Sequence, residues 1–178
     1  MTERIIIAGA GGQGIMLLGK VIAEAAIREG KYVTWLPAYG AEVRGGTAHC
    51  MAIVSDEEIG SPYIDKADIL IVMNGPSLKK FKNRITGAGL LIINSSLADD
   101  SGDAGKKERI LRYPFTDLAA GIGNIKVANM IALGCLISRK NIVNLESVYN
   151  AIQAMAPRGK TGLIEINQKA LMEGMRLK

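Results

Sequence analysis

The stretch RIIIAGAGGQGIMLLGKVIAEAA, residues 4–26, decides the fold of this 178-residue chain. It begins with three consecutive isoleucines, which is typical of a buried strand, and then enters a glycine-rich turn. After the turn, apolar residues recur at helical spacing, with Ile15, Leu18 and Ile22 on one face. A buried strand that leads through a glycine-rich turn into an amphipathic helix favours an α/β domain.

Further apolar runs follow along the chain and predict more strands. These runs cover residues 31–37, 47–55, 67–73, 89–94 and 109–114. Too few residues separate the second and third runs for a parallel crossover, which needs roughly a dozen or more. The third strand is therefore predicted to run antiparallel to the second, at or near an edge of the sheet.

The remainder of the chain is predicted to be helical, with a last helix after Gly162. It includes a segment at residues 128–137 that is apolar nearly all round and must be buried. Gly134 inside it allows a close approach of another backbone. Together these elements predict a three-layer α/β/α sandwich with a mostly parallel, Rossmann-like sheet and one antiparallel strand. We expect residues 1–178 to form a single domain.

Composition limits the possible functions. The net charge is +5, which is too modest to indicate nucleic-acid binding but is compatible with an anionic ligand. The basic cluster at 78–84 is expected to be a solvated helix face. No apolar stretch is long enough for a membrane span, and the first residues do not resemble a signal peptide. We expect a cytoplasmic location, with no nucleic-acid or membrane partner.

The glycines of the first turn, Gly9, Gly11 and Gly14, satisfy G-x-G-x-x-G in the strand–turn–helix context. Glycines let a backbone approach a phosphate, and the following helix offers free N–H groups. A dinucleotide site also requires an acid at the end of the second strand, where this chain has Trp35 and Leu36, so NAD and FAD are disfavoured. A phosphate contact and a turn that merely packs tightly both remain open.

The loop AYGAEVRGG after the second strand carries Glu42 and Arg44 among several glycines. The two charges form either an internal ion pair or a contact with a ligand or another subunit. His49 is the single histidine and is expected to be structural. Two cysteines cannot supply the four thiolates of an iron–sulfur cluster, so we assign no catalytic residue and no metal ligand to this chain.

The motifs GAGGQGIMLLGKVIAEAA, WLPAYGAEVRGGTAHC, VMNGPSLKKF, INSSL and NMIALGCL, taken in order, resemble the gamma subunit of 2-oxoacid:ferredoxin oxidoreductases. The loop is more similar to 2-oxoglutarate and branched-chain 2-oxoacid members than to pyruvate members, and 2-oxoglutarate is favoured. The resemblance implies a non-autonomous subunit in the oxidative decarboxylation of a 2-oxoacid to an acyl-CoA, with electrons passed to ferredoxin. The alternative is a free-standing nucleotide-binding or regulatory α/β domain.

The resemblance also implies the partners and cofactors. Alpha and beta subunits, with or without a delta subunit, are expected to carry thiamine diphosphate, Mg²⁺ and iron–sulfur clusters, while this chain helps to enclose coenzyme A. The candidate cofactor-binding residues are Gly11, Gly12, Gln13, Gly14, Glu42, Arg44, Gly45, Gly46 and Asn74.

Overall fold

A computed structural model of the protein describes residues 1–38, 47–99, 109–157, 159 and 161–177. In these residues, six strands and two α-helices occupy the first two thirds of the chain, and helices make up the rest. The strands are β1 (Thr2–Gly9), β2 (Tyr32–Ala38), β3 (Ala48–Ser55), β4 (Ala67–Val72), β5 (Ile85–Asn94) and β6 (Arg109–Tyr113). The helices are α1 (Ile15–Arg28), α2 (Gly75–Phe81), α3 (Phe115–Ile122), α4 (Ala128–Arg139), α5 (Leu145–Met155) and α6 (Thr161–Met175).

Within the described residues the strands form one six-stranded sheet in the order β2-β3-β1-β4-β5-β6. Strand β3 is antiparallel to both of its neighbours, and the other pairs are parallel. The prediction of one antiparallel strand next to the sheet edge is therefore confirmed. Strand β2, at that edge, points in the same direction as β1, because both are antiparallel to β3.

The two faces of the sheet are covered unequally. Helices α1, α3, α4, α5 and α6 belong to the larger hydrophobic cluster on one face, where Phe115 and Val148 are fully buried. Helix α2 covers the other face with Leu78 and Phe81. The central strands read as continuous apolar runs because both of their faces are buried. The predicted α/β/α sandwich is confirmed, with one thick and one thin helical layer.

Helices α4 and α6 cross at a pair of glycines. A Cβ atom added at Gly134 would collide with the carbonyl of Leu171, and one added at Gly174 would collide with the carbonyl of Ile131. The close backbone approach predicted at Gly134 is therefore confirmed. All residues of the segment 128–137 are buried, as its composition required.

Two boundaries differ from those predicted. Strand β5 begins at Ile85, before the predicted start at residue 89, because Ile85 pairs with Ala67 ahead of an irregularity in the β4–β5 register. Helix α6 begins at Thr161 and so includes Gly162, which was expected to precede it.

The connections after β1 and β4 leave the sheet on opposite faces. Helix α1 follows β1 into the larger cluster, whereas α2 follows the adjacent β4 into the smaller one. Neighbouring strands whose connections diverge in this way open a crevice beyond their carboxyl ends, where ligands of open α/β sheets bind.

Candidate functional site

The glycine-rich turn after β1 forms one wall of this crevice. Gly12 has φ +85° and Gly14 has φ +70°, both in the left-handed region that disfavours side chains. A Cβ atom at Gly12 would meet no atom within 4 Å, so this part of the turn faces open space. Gly14 is the N-cap of α1, and no side-chain hydrogen bond caps that helix. The geometry suits the approach of a ligand to the backbone of the turn.

Gln13 fixes the turn with both ends of its amide. Its Oε1 accepts a hydrogen bond from the Ala10 N–H at 2.6 Å, and its Nε2 donates to the Met73 carbonyl oxygen at 3.1 Å. The glycine-rich turn is thereby joined to the end of β4. Gln13 thus has a structural role that the glycine pattern alone did not reveal.

Two buried asparagines extend this polar network. The Nδ2 of Asn94, at the end of β5, donates to the Met73 carbonyl oxygen at 3.1 Å and to the Thr116 Oγ1 at 2.9 Å. The Asn129 Nδ2 donates to the Gly14 carbonyl oxygen at 3.1 Å, and its Oδ1 accepts from the Met130 N–H. Buried polar groups need such partners to offset their lost hydration, and these bonds hold the carboxyl edge of the sheet together.

A cleft of about 310 Å³ opens between these segments. In the described part of the chain, the backbone of the turn, apolar side chains and one lysine form its walls. The lining residues are Gly11, Gly12, Gln13, Met73, Leu97, Thr116, Ile125, Lys126 and Ala128. A mostly apolar cleft with a few polar groups and one cation suits a ligand that has an anionic group and an apolar portion.

The sequence of almost the whole chain matches one protein family. The sequence model described as "Pyruvate ferredoxin/flavodoxin oxidoreductase" matches residues 4–177. The chain belongs to this family.

Individual relatives agree with the family match. The chain is 36% identical over 173 residues to the ketoisovalerate oxidoreductase subunit VorA of Methanothermobacter thermautotrophicus, an alignment that covers 96% of this chain and 35% of that protein. It is 32% identical over 161 residues to the 2-oxoglutarate synthase subunit KorC of Methanocaldococcus jannaschii, with 89% of this chain and 86% of that protein covered.

A solved structure confirms the fold. The gamma subunit of a keto/oxoacid ferredoxin oxidoreductase from Geobacter sulfurreducens superposes with a TM-score of 0.82 at 28% identity, covering 97% of this chain and 95% of that one. The resemblance to gamma subunits that the motifs indicated is thus confirmed. The chain spans only about a third of the length of the ketoisovalerate subunits that it matches.

The candidate residues of this family member fall into three groups. Gly11, Gly12 and Gln13 line the cleft, and Gly14 adjoins them at the start of α1. Asn74 caps α2, because its Oδ1 accepts the Ser77 N–H at 3.0 Å, and it is absent from the cleft lining.

The third group, Glu42, Arg44, Gly45 and Gly46, lies outside the described residues. The described residues on either side of this segment belong to β2 and β3. Ala38 at the end of β2 pairs with His49, and Ala48 at the start of β3 pairs with Gly9. Ala38 and Ala48 therefore lie at the edge of the sheet where the glycine-rich turn follows β1.

Sequence reasoning missed Leu97, Thr116, Ile125 and Lys126. Leu97 follows β5 and Thr116 follows β6, so the rule that ligand residues follow strand ends would have found both. Ile125 and Lys126 lie in a short 3₁₀ turn between α3 and α4, where the Asn124 Oδ1 accepts the Lys126 N–H at 3.0 Å. Ile125 is exposed in the folded chain, with 61% of its surface accessible, but no local sequence pattern marks it or Lys126 as part of the cleft.

Among the described residues, Cys50, Cys135 and His49 are not part of the cleft lining. Burial raises the pKa of the Cys50 thiol to about 12 and that of Cys135 to about 11. Neither thiol is therefore a nucleophile at neutral pH. His49 packs against the Phe81 ring with centroids 4.8 Å apart. In the described ranges, His, Cys, Asp and Glu side chains form no group of three or more that could hold a metal ion.

Proposed function

We propose that this chain is the gamma subunit of a multi-subunit 2-oxoacid:ferredoxin oxidoreductase. The complex oxidatively decarboxylates a 2-oxoacid, transfers the acyl group to coenzyme A and passes two electrons to ferredoxin. The family match over residues 4–177 carries the proposal. Residues 1–178 act in it as one domain, in the cytoplasm. None of the helices in the described part of the chain has the length and apolar composition to span a bilayer.

The 2-oxoacid is 2-oxoglutarate in this proposal, with a branched-chain 2-oxoacid as the next choice. Support comes from the relatives, whose names assign them to 2-oxoglutarate synthase and ketoisovalerate oxidoreductase. The side chains that select among 2-oxoacids are expected on other subunits.

Thiamine diphosphate, Mg²⁺ and the iron–sulfur clusters belong to the alpha and beta subunits, or to a delta subunit. The chemistry of this chain supports that division. An iron–sulfur cluster needs four thiolate ligands, and the chain has two cysteines, both buried in the sheet and helix core.

Coenzyme A is the ligand of the cleft. Leu97 and Ile125 offer apolar walls for the pantetheine arm, and Lys126 offers a cation for a phosphate. The backbone N–H groups at the start of α1 add partial positive charge at the same edge. From the loop, we propose that Arg44 binds a phosphate or a neighbouring carboxylate in bidentate fashion, with Glu42, Gly45 and Gly46 beside it.

The alternative is a free-standing nucleotide-binding or regulatory domain, which the strand–turn–helix glycine motif favours. Affinity purification of the tagged chain from its native host separates the two. Co-elution with proteins that contain thiamine diphosphate and iron in stoichiometric amounts is expected for the gamma subunit. A lone chain that elutes with a bound nucleotide would contradict that assignment.

A further inference from the structure

A single peptide group joins the walls of the cleft. The Met73 carbonyl oxygen accepts hydrogen bonds from the Gln13 Nε2 and the Asn94 Nδ2, both at 3.1 Å. The N–H of the same residue donates to the Ala8 carbonyl oxygen at 2.8 Å. Met73 is fully buried and directly follows β4. Because a carbonyl oxygen has two lone pairs, these two amides use its full accepting capacity.

The two amides extend from Met73 to different walls. Gln13 belongs to the glycine-rich turn and also accepts the Ala10 N–H through its Oε1. Asn94 reaches the start of α3, because its Nδ2 donates to the Thr116 Oγ1 and its Oδ1 accepts the Thr116 N–H at 3.3 Å. The turn and α3 are therefore held at fixed distances from one shared atom.

The chemistry of these positions requires amides. Asn94 is completely buried, where an ionised carboxylate would be costly and a hydroxyl could not donate and accept at the same geometry. Gln13, Met73 and Thr116, which the network joins, are themselves lining residues of the cleft. A network that only stabilised the core would not need to join residues of the cleft wall.

We propose that Gln13 and Asn94 are positioning residues that set the spacing of the cleft walls through the Met73 carbonyl oxygen. The cleft is thus held in its binding shape before coenzyme A arrives, which lowers the ordering cost of binding. The inference rests on the proposed function of the cleft. It adds Asn94 to the residues that affect coenzyme A binding, and it gives Gln13 a role that acts through the cleft walls and does not require contact with the ligand.

The test uses the complex assembled with its partner subunits and the variants Gln13→Ala, Asn94→Ala and the double variant. Coenzyme A and the 2-oxoacid are varied separately in steady-state assays. Gln13→Ala removes two side-chain hydrogen bonds and Asn94→Ala removes three, and each change removes one of the two bonds to the Met73 carbonyl oxygen. We therefore expect about a tenfold rise in the KM for coenzyme A in each single variant. The kcat and the KM for the 2-oxoacid are expected to stay within about twofold, because the reacting groups lie elsewhere.

The double variant tests the shared atom. When one wall is no longer held to Met73, loss of the second bond reduces coenzyme A affinity by less than it would in the wild type. The rise in the KM for coenzyme A in the double variant is therefore expected to be well below the roughly hundredfold product of two independent effects. Asn83→Ala is the matched control, since Asn83 is an exposed amide away from the cleft. A full product, or an unchanged KM in both single variants, would overturn the inference.

A second pair of variants keeps the test decisive if Asn94→Ala fails to assemble. Thr116→Val removes the hydroxyl that accepts from Asn94, whereas Thr116→Ser keeps it. We expect the valine variant to raise the KM for coenzyme A and the serine variant to restore it; equal behaviour of the two would overturn the inference. A wild-type complex without any coenzyme A-dependent activity would instead overturn the proposed function, and this inference with it.

Discussion

A side chain at Gly12 would meet open space, whereas one at Gly14 would meet the Asn129 amide. Alanine variants at the two positions are therefore expected to differ in their effects on stability and on ligand binding. Both have positive φ, so Gly12→Ala and Gly14→Ala each carry a backbone cost of roughly 1–2 kcal/mol. At Gly14 the added Cβ also collides with the buried Asn129 amide, which would have to give up its bond to the Gly14 carbonyl oxygen. We expect urea unfolding to show a loss about 1–3 kcal/mol larger for Gly14→Ala than for Gly12→Ala.

The loss of coenzyme A affinity in these two variants is not expected to follow their loss of stability. The side chain at position 12 projects into open space beside the cleft, so Gly12→Ala is expected to lower the affinity of the complex for coenzyme A despite a nearly intact fold. If Gly12→Ala left coenzyme A binding unchanged, the turn would not face the ligand.

Lys126 supplies a cation to the cleft lining. Removal of its charge is therefore expected to weaken the binding of the phosphate groups of coenzyme A. We expect Lys126→Gln to raise the KM for coenzyme A about threefold to tenfold, an effect that weakens as salt is added because the side chain is exposed. The KM for the 2-oxoacid serves as the internal reference. Lys169→Gln, an exposed lysine on α6, is the matched control, and an equal effect in both variants would contradict a phosphate contact.

The two buried thiols predict a labelling pattern and a pH dependence. Their pKa values lie above the ordinary 9.0, so thiol reagents at pH 8 should label neither Cys50 nor Cys135 in the native protein and should label both after unfolding. The unfolded thiols ionise first as pH rises. Their contribution to stability is therefore complete below about pH 9 and is lost as pH rises toward 11–12. Fast labelling of the native protein would contradict the burial.

The residues of the site were only partly predictable from sequence. Gly11, Gly12 and Gln13 were found because a glycine-rich turn after a buried strand is a local signal. Lys126 was missed because its place in the cleft depends on how the turn between α3 and α4 packs, which no local pattern reports. Asn74 was correctly placed at a strand end, but its side chain caps α2, and its predicted contact with a ligand stays a prediction.

The crossing of α4 and α6 is the element contact most sensitive to a single methyl group. Gly134→Ala and Gly174→Ala each force a Cβ onto a backbone carbonyl of the opposite helix, and we expect each to destabilise the fold by about 1–3 kcal/mol. Gly162→Ala is the control within α6, since no atom lies within 4 Å of its added Cβ. There the change should be neutral or stabilising by up to about 1 kcal/mol. Equal changes in the free energy of unfolding in all three variants would mean that helix propensity, and not the close contact of the two helices, determines the effect of these substitutions.

Most elements followed from local patterns. The direction of β3 was predictable because the connection before it is too short for a crossover helix. The early start of β5 was not, because Gly87, Ala88 and Gly89 are residue types that are depleted in strands, and the pairing of Ile85 with Ala67 is a tertiary contact. The unequal helical layers were also hidden, since an amphipathic pattern shows that a helix packs but not on which face of the sheet.

In the whole molecule, the glycine-rich turn and the buried hydrogen-bonded amides that adjoin the cleft lie at the carboxyl edge of the sheet. The glycine-rich turn, Asn94 and the start of α3 meet there, and Ala38 at the end of β2 and Ala48 at the start of β3 lie at the same edge. The carboxyl ends of parallel strands lie at one edge of a sheet, so the residues that follow the predicted strands indicated this edge. The hydrogen bonds that join it depend on the spatial adjacency of β4, β5 and β6, which appears only in the folded chain.

The central claim is that this chain completes the active site of a larger 2-oxoacid:ferredoxin oxidoreductase. The most direct measurement is ferredoxin reduction by 2-oxoglutarate and coenzyme A, with the partner subunits assayed before and after addition of this chain. Each component alone should be inactive, and their mixture should show activity that saturates at a fixed ratio of this chain to its partners. Full activity of the partners without this chain, or turnover by this chain alone, would contradict the account.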